Sequence, residues 1–413
     1  MIFDKAGNLY GVTIEGGSTA CPPGWCGTIY QLSPPAQKGG AWTETVLYVF
    51  KGHNQNDGSS PSGGLIADSA GNFYGVTGYG GSGPCVLFGT ATGCGTVFEL
   101  SPPAQEGGAW TEIVLYNFQG GKDGDLPTGP LVFDSAGNLY GATEFGGGKG
   151  TTCDAFYGGN CGTVFELSPP KQKGGKWTEK VLHSFSGIGS GKQYGDGALP
   201  NGGLILNGKG AVYGTAYYGG NATGNCNGGT EGIGCGTVFE LVPSANKGGA
   251  WSAKQLHVFA DGKDGASPNG NLLFDPNGRL YGTAGGGAWQ SGVAFRLEEA
   301  DGLWKEAALY NFTGGDDGSN PGTGLVFDSS NYVYGVALGG QTNRGVVFRL
   351  KAPKGGNSWS LSVLYTFEGA PDGNHPTEPL VFGKMGALYG TTEWGGDGQA
   401  CQGGCGAVFE ISP

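Results

Sequence analysis

Residues 131–141 read LVFDSAGNLYG, residues 161–170 read CGTVFELSPP, and residues 174–185 read GGKWTEKVLHSF. Together these pieces form one unit, and the unit recurs along the chain. Its Tyr-Gly appears at Tyr10, Tyr74, Tyr140, Tyr213, Tyr281, Tyr334 and Tyr389, at intervals of 53 to 73 residues. Internal repetition of this period points to a repeat architecture. Each copy holds four strand signals. Strand A is the LVFD type and strand B the NLYGAT type. Strand C is GTVFEL, where Val164 and Glu166 alternate with Phe165 and Leu167, the period of a half-buried strand. Strand D is WTEKVLHSF, rich in β-branched and aromatic residues. Ser-Ala-Gly-Asn turns join A to B, and Ser-Pro-Pro with Gly-Gly joins C to D. No segment carries a sustained helical period.

Four antiparallel strands repeated around a ring make a propeller blade, which protects sheet edges by radial repetition. The expected fold is therefore all-β, a seven-bladed β-propeller in one domain. Blades are expected near residues 1–50, 64–118, 130–185, 203–259, 271–312, 324–367 and 379–413. Strand D is led by Trp42, Trp110, Trp177, Trp251, Trp304 and Trp359, six times rather than seven. The seventh blade thus either has three strands or borrows one from outside this chain.

Composition excludes several functions. The formal charge is −12, from 22 basic against 34 acidic residues. Nucleic acid and anionic membranes both need clustered Lys and Arg, so neither is an expected partner. No apolar run approaches the ~20 residues of a membrane-spanning helix. The 90 glycines are turn residues here, since 12% of the chain is aromatic, unlike disordered chains. The ten cysteines fall in five close pairs at one place in the repeat: Cys21 and Cys26, Cys85 and Cys94, Cys153 and Cys161, Cys226 and Cys235, Cys401 and Cys405. Such pairing reads as local disulfides and an oxidising, extracytoplasmic compartment, secreted or at the cell surface. Zinc is disfavoured because the spacings are irregular and no histidine accompanies them. With no export signal visible, the chain reads as a mature or trimmed form carrying an added start methionine.

The unit F-x-G-x-x-D-G-x-x-P-x-G-G-L, FD-x-x-GNLYG-x-T-x-x-GG and GTVFELSP resembles the Gloeobacter/Verrucomicrobia tandem repeat of exported bacterial proteins, over essentially the whole chain. The resemblance implies a surface or secreted protein and brings no catalytic motif. This chain departs from plain copies in its cysteine-bracketed loops.

In a propeller the B–C and D–A loops share one face. Length variation and cysteines crowd into the B–C loops, long in blades 7, 1, 2, 3 and 4 and short in blades 5 and 6. The expected result is a walled cleft. Trp25, Trp289 and Trp394 lie in these loops, with Tyr79, Phe145, Tyr157 and Tyr218, as ligand-contacting or blade-capping rings. Asp57, Asp123, Asp196, Asp264, Asp317 and Asp372 recur as Asp-Gly in the D–A loop, which reads as loop bracing, with calcium as their alternative use. Glu15, Glu144, Asp154 and Glu393 are less repetitive. Two such acids flanking a glycosidic bond could cleave it. No serine-nucleophile elbow or phosphate-cradling loop is present. The leading expectation is a monomer that binds a glycan or polysaccharide without a cofactor. The alternatives are a glycoside hydrolase or polysaccharide lyase on the same face, or a structural or adhesive surface module.

Overall fold

The computed structural model describes residues 1–413 except 19–20, 22–25, 38–39, 106, 149–160, 173, 188–194, 221–225, 227–233, 247, 354–358, 399–400, 402 and 413. The chain is an all-β, seven-bladed propeller of small antiparallel sheets, mostly four-stranded. Among the described residues it has no α-helix, hence none long and apolar enough to cross a membrane. Packing divides the chain into two units. One comprises Met1–Ser186, Ala198–Val212 and Leu241–Ser252, and the other Gly187–Gly197, Tyr213–Glu240 and Ala253–Pro413.

Blade 3, in the first unit, shows the grammar. Its strands are Asp125–Phe133, Leu139–Phe145, Thr163–Ser168 and Thr178–Ser184, hydrogen-bonded in that order. The A–B turn is an Asx turn. Asp134 Oδ1 accepts the Ala136 and Asn138 N–H groups, while Oδ2 accepts the Asn138 amide and the Tyr140 hydroxyl. The same set recurs around Asp68, and around Asp4 with the Gly7 N–H as the first backbone donor. In these blades the turn acid holds the strand-B tyrosine, whereas in blade 4 the Tyr213 hydroxyl donates to Glu240 instead. The glycine after the tyrosine is required by close approach: a Cβ on Gly75 would sit 2.6 Å from Phe98 Cζ.

Neighbouring blades are joined by two devices. The phenylalanine closing strand D is fully buried and meets the strand-C phenylalanine of the next blade edge-on. Examples are Phe50 on Phe98 and Phe118 on Phe165 in the first unit, and Phe312 on Phe348 in the second, all with centroids 5.1–5.2 Å apart. The second device is a latch. A left-handed residue ahead of a proline donates its N–H to the last carbonyl of the preceding B–C loop. Thus Leu126 donates to Cys94 at 3.3 Å and Ser267 to Cys235 at 2.7 Å. The following proline packs on the next glycine, where a Cβ at Gly95 would lie 2.5 Å from Pro127 Cδ. The Cys-Gly of strand C and the Pro of the D–A loop are therefore halves of one joint.

The strand-D tryptophans pack, but not as core residues. Trp110 stacks on Phe73 at 5.4 Å and meets Tyr10 at 6.4 Å, while remaining half-buried. All six sit at this partly solvated margin, because they begin the outermost strand of each blade. In the second unit, blade 7 has a three-stranded sheet of Val381–Phe382, Leu388–Thr392 and Ala407–Ile411.

Candidate functional site

The latch ties D–A residues to B–C residues, so both loop sets emerge at one end of each blade. The recurrent Asp-Gly acids brace this end. Asp57 accepts the Tyr48 hydroxyl and the Lys51 N–H, both at 2.8 Å. Asp123 does the same with Tyr116 and Gln119, and Asp317 with Tyr310 and Thr313. His257 replaces the tyrosine opposite Asp264. Their carboxylate oxygens are engaged by donors from their own loops, as bracing requires.

A repeated threonine shapes the exit from strand B. Thr13, Thr77, Thr143 and Thr392 each donate a hydroxyl hydrogen bond to the carbonyl two residues on, at 2.8–2.9 Å. This turn presents Ile14 and Glu15 in blade 1, Gly78 and Tyr79 in blade 2, Glu144 and Phe145 in blade 3, and Glu393 and Trp394 in blade 7.

Within the first unit these exits converge on a pocket of about 300 Å³. It is lined by Ile14, Glu15, Gly78, Tyr79 and Glu144 from the strand-B exits, and by Ser60, Ser62, Leu126, Pro127 and Thr128 from the latch segments. Gly78 leaves the middle open, because its neighbours in the same register carry side chains. Glu393 is not among the lining residues. Of the candidate residues, Glu15, Tyr79 and Glu144 come together here, while Phe145 is half-buried at the end of strand B, opposite Asp125.

The pocket is acidic, and among the described residues no Lys, Arg or His lines it. Burial raises Glu144 to about 7. Burial also raises Asp125 to about 6 against one opposing backbone hydrogen bond from Leu126. The Tyr79 hydroxyl is pushed up by burial, then by the charges of Asp125 and Glu144. Asp125 was not singled out by sequence. Its signal was available, since the equivalent position holds Ser59, Ala198, Ala266, Ser319 or Asn374 in other blades. Its carboxylate and the sulfurs of Cys85 and Cys94 lie within 4.8 Å of one another. Those sulfurs are bonded to each other, so the trio is not a set of free metal ligands.

The other described candidates are not among the residues lining this pocket. Trp289 is 65% exposed and Trp394 42%, the latter ring 4.6 Å from His375. Tyr218 is half-buried against Tyr217, with ring centroids 4.6 Å apart. Trp25, Asp154, Tyr157 and Cys153 lie outside the described residues. Disulfides link Cys21 to Cys26, Cys85 to Cys94, Cys226 to Cys235 and Cys401 to Cys405, each within its own loop. Cys161 is also disulfide-bonded.

Blades of this kind, joined by latches and carrying their variable chemistry on one loop face, define a tandem-repeat β-propeller. The chain belongs to the Gloeobacter/Verrucomicrobia repeat family, whose model matches residues 1–226 and 223–413. Comparison with curated proteins gives no match. Among solved structures, it is similar to a protein from Lactobacillus plantarum, with 12% identity, TM-score 0.51, and 94% and 88% of the two chains covered. It is also similar to the PQQ-bound aldose sugar dehydrogenase of Streptomyces coelicolor, with 13% identity, TM-score 0.45 and coverage of 85% and 93%. A third is a gluconolactonase of Xanthomonas campestris, with 14% identity, TM-score 0.38 and coverage of 77% and 79%.

Proposed function

We propose that this protein is an extracytoplasmic carbohydrate-binding propeller that seats part of an oligo- or polysaccharide between Glu15, Tyr79 and Glu144. The observation that carries the reading is the composition of the pocket. Hydroxyls of Ser60, Ser62, Thr128 and Tyr79 alternate with the apolar surfaces of Ile14, Leu126 and Pro127. Sugars offer the matching pattern, hydroxyls around the edge of an apolar ring. Its volume sits at the lower end of the range for small-ligand sites, ~300–1,000 Å³. Disulfide-stapled loops on the same face suit an oxidising compartment and a preorganised site.

The test is retention on a panel of immobilised neutral polysaccharides. Gly78→Leu fills the pocket from a position with no left-handed φ, its Cβ pressing only on the flexible end of Leu126, where Cδ1 at 3.3 Å must give by a few tenths of an ångström. This variant should lose at least about tenfold in affinity and remain folded. Normal retention by Gly78→Leu and Tyr79→Ala together would overturn the reading.

One observation favours a second reading, cleavage of the bound chain. Burial raises Glu144 to about 7, so a large fraction carries its proton at neutral pH, while Glu15, from blade 1, is exposed to water. A proton donor facing a second carboxyl group is the arrangement that glycosidic hydrolysis uses. Release of reducing ends by the wild type, lost in Glu144→Gln with retention intact, supports this reading; no product from any retained polysaccharide removes it.

A further inference from the structure

We propose that the hairpin Val86–Leu87/Thr90–Ala91 is a second contact for the same saccharide, with Phe88 as its stacking platform; this rests on the carbohydrate reading. The hairpin closes through Phe88 and Gly89, whose φ values are +49° and +81°. Two left-handed residues make the turn that Asn-Gly fits best, and a bulky side chain there is a backbone outlier. Phe88 is nonetheless 95% exposed, with Val86 beside it 61% exposed. The fold therefore gains neither turn stability nor burial from this ring. Strain retained at an exposed aromatic is a pointer to function.

The hairpin is stapled at its base and hydrogen-bonded to the pocket wall. Cys85 and Cys94 staple its base, with Cα atoms 5.0 Å apart. Thr92 O accepts the N–H of Gly80, the residue after Tyr79, at 2.7 Å. Cys94 O accepts the N–H of the pocket residue Leu126. The occupant follows from charge and continuity. The exposed Glu15 at the pocket, in a chain of net charge −12, repels an anionic lipid surface or polyanion. An uncharged sugar ring leaving the pocket meets no such penalty, and its C–H face suits an aromatic platform.

The experiment measures binding of a length series of oligosaccharides, cut from whichever polysaccharide retains the wild type, to Phe88→Ala, Phe88→Asn and Tyr79→Ala. Both Phe88 variants should bind long oligomers about three- to tenfold more weakly and the shortest ones normally. Tyr79→Ala should weaken every length. Phe88→Asn should melt at or above the wild-type temperature, because asparagine suits the turn. If the Phe88 variants bind every length as the wild type does while Tyr79→Ala fails, the platform is wrong and the pocket reading stands. Equal loss at all lengths also overturns the platform. If no polysaccharide retains the wild type, both proposals fall, and Phe88-dependent binding to phosphatidylcholine vesicles or to a protein would name the rival occupant.

Discussion

Asp125 and Asp134 lie at opposite ends of one strand, Asp125–Phe133, and have opposite environments. Burial pushes Asp134 up, but the Asn138 amide, the backbone N–H groups of Asn138 and Ala136, and the Tyr140 hydroxyl outweigh it and hold the carboxyl below its usual range. Asp125 is desolvated against a single backbone hydrogen bond and titrates near 6. Glu144, at the same end as Asp125, is raised by burial alone. The turn end surrounds its acid with donors because the turn needs that acid to hold its shape. The loop end leaves Asp125 and Glu144 short of donors, which suits binding and weakens the fold.

The largest test lies between blades 1 and 2. Burial and then the charge of Asp57 raise Glu112 to about 8, against the Tyr48 hydroxyl and Lys51; its Oε1 is buried without a hydrogen-bond partner. A carboxyl raised on folding is protonated more in the native state, so stability is fullest below the unfolded value and falls as pH rises toward 8. Glu112→Gln should remove about 2 to 4 kcal/mol of this alkaline loss, measured as urea midpoints between pH 5 and 9. Parallel curves for the variant and the wild type would break the comparison.

Asp134→Ala should cost about 1 to 3 kcal/mol by stranding turn donors. Because Asp4, Asp68 and Asp134 are all lowered on folding, the wild type should lose stability as pH falls through their folded values, below about pH 4. A chemical melt at pH 7 and pH 3 should show the variant's deficit shrinking in acid. Glu144→Gln should do the reverse, gaining about 1 to 2 kcal/mol at pH 8 and little at pH 5, the figure being reduced because the pocket is open to water. The smallest effect is Trp289→Ala, which at 65% exposure should shift stability by no more than about 0.5 kcal/mol in a thermal melt.

Much of the architecture was legible because the repeat states its rules many times. The Tyr-Gly, the Asp-x-x-Gly-Asn turn and the Asp-Gly of the D–A loop each have a local partner a few residues away, so their roles follow from spacing. Glu15 and Glu144 stood out in the sequence as less repetitive acids on one loop face, and Tyr79 as one of the aromatic residues in its B–C loops. Asp125 was less so, since it sits two residues from a bracing aspartate and looks like part of the same loop chemistry. Phe88 lies in an insertion, where repeat comparison offers nothing. The recurrence of the strand-D tryptophans fixes only that they pack, not how deeply, and all six are half-buried.

The sequence by itself determined the blade count, the strand grammar, the loop face and the local pairing expected of the cysteines, because each depends on interactions within one repeat or on its period. Only the tertiary structure decided which acids share a pocket, that Gly78 leaves it open, and that Phe88 stands in water on a strained turn. The pocket depends on how side chains from three consecutive blades meet at the latch, and the turn at Phe88 on how its own hairpin closes. Desolvation of a carboxyl is a sum over all of its neighbours, and no single repeat contains them.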